Sequence, residues 1–284
     1  MYLKPILYIG LQLSFSYSFL RTKGKGQLTV YLILQLLQVL GCYGNRLLQF
    51  SSPDEYLNIC TDGISHKKAP GPESGLFDKC RPWKDRSCCT ESLAKDIHVN
   101  KTWYKMDWSH CPQQPLSDKC RGRFIQDLCF YECSPNVGPW LVKVSGMKIR
   151  KERFVDVPLC QTECDAWWED CRDDYTCIEN WSRQFNWSSG TPQCPLGSTC
   201  KKFSEIYKSS SDFCEKVWDH SWKVVNDTTP EGCFVMWWNE GDENPNQQIA
   251  YAKARQIVSW ASRITTNLSA LIYCIICFFF VTMF

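Results

Sequence analysis

The sequence predicts a single disulfide-rich α+β globular domain with several helices, short strands and long loops. Three observations predict it. Sixteen of the 19 cysteines fall between Cys60 and Cys233, an even set. Several segments place cysteines and apolar residues at helical spacing. Other segments alternate every second residue or are rich in Pro and Gly, as short strands and loops are.

The cysteines set the compartment. Such density beside apolar targeting segments implies an oxidising environment and up to eight bridges. The set is Cys60, Cys80, Cys88, Cys89, Cys111, Cys120, Cys129, Cys133, Cys160, Cys164, Cys171, Cys177, Cys194, Cys200, Cys214 and Cys233. Spacing leaves their pairing open. The neighbours Cys88 and Cys89 must reach different partners, because bridging adjacent residues is strained. Cys42 lies in the N-terminal apolar region, and Cys274 and Cys277 lie in the C-terminal tail. Zinc is a weak reading: the four His (His66, His98, His110, His220) are nowhere paired at ligand spacing.

Taken in order, residues 1–44 carry two apolar runs around the basic patch Arg21-Thr-Lys-Gly-Lys-Gly26. The second run, Leu28 to Leu40, fits a signal peptide with residues 1–20 as an upstream extension. The mature domain spans 45–258. Its first part is loop-rich, with PGPE at 70–73 and CRPWKDRSCC at 80–89. Residues 97–111 alternate through Tyr104, Met106 and Trp108, which suits a short strand or extended loop. A helix follows within Cys120 to Trp140 and ends near Ser134-Pro135. Pro158 fits the first turn of the next helix, which carries Cys160, Cys164, Trp167, Trp168 and Cys171. The Trp pair is read as core. Residues 175–188 form an aromatic loop, and a third helix is predicted over 202–223. The polar run GDENPNQQ precedes a short helix through about Ala261. The apolar end from Ala270 to Phe284 has no basic stop after it, so 259–284 is read as a removed GPI-attachment signal, with Ser259 or Ser262 as attachment site. Sequons at Asn100, Asn186 and Asn226 are expected to carry glycans. Asn180, with Trp181 in its middle position, is not, and Asn267 would be lost with the tail.

Lys and Arg number 32 against 30 Asp and Glu, so a net +2 makes no case for nucleic acid. No Ser/Cys–His–acid arrangement or nucleotide motif is evident, and the domain cysteines are expected to be bridged; an enzyme is not predicted. On the 120–134 helix, Asp127 and Tyr131 are spaced i, i+4 and share a face, with Cys129 and Cys133 roughly opposite. A carboxylate beside an aromatic ring suits a planar, nitrogen-rich heterocycle: the ring supplies stacking area and the acid accepts paired N–H donors. The plainer reading is a solvated Asp beside a core Tyr.

FIQDLCFYECSPNVGPW, RKERFVDVPLC, WWEDCRDDYTC, NWSSG and the cysteine framework closely resemble the folate receptor family, which is related to riboflavin-binding proteins and includes the egg-surface receptor Juno. The resemblance covers about residues 55–250. It implies a pterin stacked between Tyr131 and Trp218, with Asp127 accepting from the amino-pyrimidine edge. It also implies that Arg150, Arg153 and Ser221 hold the other pterin heteroatoms, and that Tyr104, Trp181 and Trp187 line the benzoate section. Folate is then a ligand, and no cofactor is implied. Arg183 offers charge to the glutamate carboxylates. The mouth departs from the family: Ser182-Arg183-Gln184-Phe185 stands for His-Lys-Gly-Trp, Ile149 for a Trp, and Met106 for a common Phe. The lost donors imply weaker folate binding, by roughly 1.5–3 kcal/mol for each missing charge-assisted hydrogen bond.

The resemblance implies a GPI-anchored receptor on the extracellular face of the plasma membrane, or a secreted form, that takes up folic acid and reduced folates by endocytosis. The alternative is a Juno-like egg receptor for sperm Izumo. Retained Asp127 favours the first, because the mammalian Juno sequences lack that acid. If Asp127 lies against Arg150 and Arg153, its pKa is depressed, and endosomal acid alone does not neutralise it.

Overall fold

The computed structural model describes residues 50–61, 66–99, 108, 110–146 and 150–263. All of them belong to one compact unit, Leu47–Phe284. The signal-peptide reading, Asn100, Tyr104, Met106, Ile149, Asn267, the three outlying cysteines and the apolar tail lie outside the described residues.

The chain enters through α1 (Pro53–Tyr56), started by a Ser52–Glu55 capping box. A 3-10 turn (Asp78–Trp83) leads to α2 (Glu91–Val99), which buries Leu93, Ala94 and Ile97. Next comes α3 (Asp118–Cys133), capped by the Ser117 hydroxyl and ending at Ser134, where the sequence places its end. Strands β1 (Leu141–Lys143) and β2 (Glu152–Phe154) pair antiparallel, with Val142 opposite Arg153. β3 (Val157–Cys160) runs into α4 (Gln161–Cys171). β4 (Tyr175–Thr176) pairs antiparallel with β5 (Lys201–Lys202). Then come α5 (Phe203–Ile206), α6 (Ser210–Lys216) and β6 (Trp222–Val225), which pairs parallel with β3. Residues 246–263 are helical (α7). Mixed helices and short strands around eight disulfides make the α+β class that the sequence predicts. Among the described residues no helix is long and apolar enough to cross a membrane.

Two predicted helices change. Pro158 lies inside β3 rather than in a helical turn, and Cys160 becomes the N-cap residue of α4. The fixed φ of Pro suits a strand as well as a first turn, and its carbonyl still accepts from Phe234 N at 2.6 Å. The helix expected over 202–223 divides into α5, α6 and β6. Ser209 restarts it by capping Asp212 N, and left-handed backbone at Asp219 (φ 55°) and His220 (φ 61°) ends it.

The eight bridges are Cys60–Cys88, Cys80–Cys129, Cys89–Cys133, Cys111–Cys200, Cys120–Cys171, Cys160–Cys233, Cys164–Cys214 and Cys177–Cys194. Cys88 and Cys89 do reach different partners. Three bridges leave α3: Cys129 and Cys133 hold the loop-rich first part, and Cys120 holds the end of α4. Every residue from Phe124 to Phe130 is buried, so the helix has no solvated face in that stretch. Around it packs an aromatic core. Phe124 stacks on Trp181 at 4.6 Å and 5° and meets Trp167 edge-on at 5.1 Å. Trp167 is fully buried and Trp168 packs against the core, as predicted.

Opening the bridge between α3 and α4 with Cys120→Ser and Cys171→Ser together is expected to lower stability by about 2–5 kcal/mol, because the unfolded chain regains loop entropy. Thermal denaturation of the double variant beside the wild type checks this.

Candidate functional site

Three chain segments meet at the candidate residues. Helix α3 supplies Asp127, Tyr131 and Glu132. The hairpin strand β2 and the residues before it supply Arg153 and Arg150. The turn from α6 into β6 supplies Trp218 and Ser221. Backbone hydrogen bonds fix that turn against the chain entering β3: Asp156 N donates to His220 O at 2.8 Å, and Val157 N to Ser221 O at 3.0 Å. The Ser221 hydroxyl donates to Trp218 O at 2.9 Å.

Asp127 is 3% exposed, which excludes the solvated reading. Its Oδ1 accepts from Trp222 Nε1 at 2.8 Å. The Trp218 indole is close enough to favour the charged acid without reaching hydrogen-bond geometry. Burial outweighs both indoles and pushes the Asp127 pKa up to about 7. The sequence-based expectation of a depressed pKa is therefore wrong. Its premise fails because neither arginine pairs with Asp127: Arg150 is taken by Glu132 and Arg153 by Asp219.

Glu132 is fully buried, and its Oε1 accepts from Arg150 Nη2 at 2.6 Å. His66 Nε2 lies against the other oxygen, and His66 Nδ1 faces Thr61 O. Burial alone would raise the Glu132 pKa, but Arg150 and His66 outweigh it and the net shift is downward. Arg150 also lies over the Tyr131 ring, 3.8 Å from its centre. Tyr131 and Arg150 thus come together as a cation–π pair. Stacking a heterocycle on that ring face requires the guanidinium to swing aside.

At the other end, Asp219 accepts from Arg153 Nη1, from Arg183 Nε at 2.8 Å and from Asn180 Nδ2 at 2.9 Å. Burial opposes its charge, but these donors hold its pKa below the ordinary carboxylate range. Arg153 is buried and also donates to the Trp218 and Asp219 carbonyls. Trp181 lies in the core, with one face on Phe124, its edge to Trp218 at 5.6 Å and its Nε1 donating to Thr176 Oγ1. Trp187 is partly buried against the core. A groove of about 500 Å³ lined by Asp54, Glu55, Leu57, Asn58, Arg86 and Gln247 includes none of the candidate residues.

Asn180 uses both ends of its amide, since its Oδ1 also accepts from Ser182 N and Arg183 N. Asn186 and Asn226 are exposed, and Thr228 Oγ1 donates to Asn226 Oδ1 at 2.7 Å. Ser259 and Ser262 both lie in α7. Sequence reasoning did not single out Glu132, His66 or Asp219 for the site, and placed Trp222 in a helix. Glu132 and Trp222 directly follow candidate residues, but nothing local marks them as partners of Arg150 and Asp127.

Fold and site together define a disulfide-stapled binding protein whose central helix carries a buried acid beside a half-buried aromatic ring. The sequence model of the folate receptor family matches residues 59–235. Human folate receptor gamma is 42% identical over 204 residues, covering 70% of this chain and 82% of its own. Human folate receptor alpha is 41% identical over 204 residues, covering 70% and 78%. Riboflavin-binding protein of Dromaius novaehollandiae is 33% identical over 190 residues, covering 64% and 72%. The chain belongs to the folate receptor family, a family of receptors and not of enzymes.

Asp127 holds its proton more tightly in the folded chain (pKa about 7) than an ordinary carboxylate does (3.8). The stability from this group is complete below about pH 4 and is lost as pH rises through 7. Asp127→Asn should remove that loss, gaining on the order of 2–4 kcal/mol over the wild type at pH 8 and little at pH 4. Melting curves of both proteins across this range, without added ligand, check it.

Proposed function

We propose that this chain is a cell-surface receptor that binds folates in a pocket built on Asp127 and the rings of Tyr131 and Trp218. The observation that carries the reading is the buried acid. A carboxylate taken from water without charged donors is costly, so it holds a proton. An amino-pyrimidine edge offers two parallel N–H donors, which stabilise the ionised form. Tyr131 and Trp218 supply the stacking faces once Arg150 moves off Tyr131, and Arg153 and Ser221 hold the remaining heteroatoms. Family membership supports the same reading. A GPI anchor formed at Ser259 or Ser262 would hold the receptor on the outer face of the plasma membrane.

Binding on this account is linked to proton release. At pH 5.5 an acid with pKa about 7 is mostly neutral and cannot accept two donors. Affinity for folic acid is expected to fall roughly tenfold or more between pH 7.5 and 5.5. That direction suits capture at the surface and release in an acidic vesicle. Equilibrium binding at both pH values tests it, with riboflavin as the control ligand; unchanged affinity at pH 5.5 would remove Asp127 from the release step.

The receptor reading itself is tested with Asp127→Ala at neutral pH. Loss of a charge-assisted pair predicts at least a tenfold weaker affinity for folic acid. An Asp127→Ala variant that binds as well as wild type would overturn the pocket assignment. No saturable folate binding by the correctly bridged wild type would favour the alternative, adhesion through the outer surface with sperm Izumo as partner. The Arg150–Tyr131 contact, which covers one ring face, is the observation on that side.

A further inference from the structure

Asp219 stands between two arginines that the ligand would otherwise use. It lies in the turn between Trp218 and Ser221, with left-handed backbone at φ 55°. Asp is among the residues that tolerate this region, so the backbone and the charge favour the same side chain. Its Oδ2 is shared by Arg153 and Arg183, and its Oδ1 takes Asn180 Nδ2. The Arg183 posture is fixed from the other side as well. Gln184 Oε1 accepts from Glu179 N at 3.1 Å and Asn180 N at 2.9 Å, while Asn180 Oδ1 accepts from Arg183 N at 3.1 Å. The loop is therefore closed on itself, with the guanidinium aimed at Asp219. Arg183 is 44% exposed and Asp219 24%, so the pair sits at the solvent edge rather than in the core. With Arg150 held by Glu132, each of the three arginines already has a carboxylate partner.

We propose that Asp219 is a specificity-determining residue: by holding Arg183 it withholds positive charge from an anionic ligand tail, so the site selects the heterocycle and is largely indifferent to a dicarboxylate attached to it. The inference rests on the pterin-pocket reading above and concerns the outer end of the same site. Arg183 gives its Nε–H to Asp219, which partly neutralises its charge, so an anionic tail that draws the guanidinium away leaves Asp219 with one arginine fewer and has its gain offset by what it displaces. Surface ion pairs alone are weak; Asp219 is not in that class, because three side chains donate to one carboxylate that is partly buried.

The test compares folic acid with pteroic acid, which has the same pterin and aminobenzoyl groups without the glutamate. Equilibrium binding is measured on the full chain, purified with its disulfides intact, as wild type, Asp219→Asn, Arg183→Gln and the double variant. The wild type should bind the two compounds within about threefold, and Arg183→Gln should leave that ratio unchanged. Asp219→Asn keeps the side-chain size and the tolerance for left-handed backbone. It should raise the preference for folic acid to about tenfold, and adding Arg183→Gln should abolish the gain. A wild type that already prefers folic acid by about tenfold, and loses this in Arg183→Gln, overturns the proposal while leaving the pocket intact. Equal shifts for both compounds in Asp219→Asn also overturn it, since Asp219 then acts through Arg153. Should Asp219→Asn fail to fold, the Arg183→Gln ratio still decides. No saturable binding of either compound by the wild type fails the pocket reading, and this proposal with it.

Discussion

Burial of α3 on all its sides from Phe124 to Phe130 is the constraint from which the rest of the molecule follows. A helix anchored by three disulfides cannot turn Gln126, Asp127 and Glu132 outward, so each must be accommodated where it stands. Two carboxylates on this helix meet the same burial and answer it differently. Glu132 recruits Arg150 and His66 and keeps its charge; Asp127 finds two indoles and holds its proton up to about pH 7. Their pKa values move in opposite directions because one has a cationic partner and the other does not. The acid without such a partner is the one able to accept a ligand's donors.

The turn at 218–221 depends on a second constraint. Two consecutive left-handed residues, Asp219 and His220, would be costly in an isolated loop. The parallel pairing of β3 with β6, continued back through the Asp156 and Val157 amides, holds them in place. The same ladder sets Trp222 on Asp127, and the Asp219–Arg153 pair ties β2 to the turn. Short strands that also bury Phe154, Leu159 and Trp222 in the core thus orient most of the site.

Much of this was legible in the residues. Sixteen cysteines with apolar ends announced a bridged, secreted domain, and the i, i+4 spacing put Asp127 and Tyr131 on one helix that ends at Ser134. Family motifs brought in Arg150, Arg153, Trp218 and Ser221. Two kinds of information were not local. Pairing across the chain, Glu132 with Arg150 or Asp219 with Arg183, depends on tertiary placement that no spacing encodes, and it reversed the expected state of Asp127. Ambiguous signals were settled by neighbours: Pro158 fits a helix start or a strand, and the strand won because β6 was there to pair with it.

The adjacent cysteines of the first loop region bear on how the chain is made. Cys88 and Cys89 point to opposite partners, and a slip of one residue would present the wrong sulfur to Cys60 and to Cys133. Covalent chemistry does not discriminate between them. The backbone does, through Cys88 N to Cys133 O at 3.0 Å and Lys67 N to Cys88 O at 2.8 Å. Oxidation that precedes this pairing traps a mis-registered species that only thiol–disulfide exchange can correct. A chain so trapped would need isomerase action at this dipeptide, and production in a reducing cytosol would yield a chain without its native cross-links.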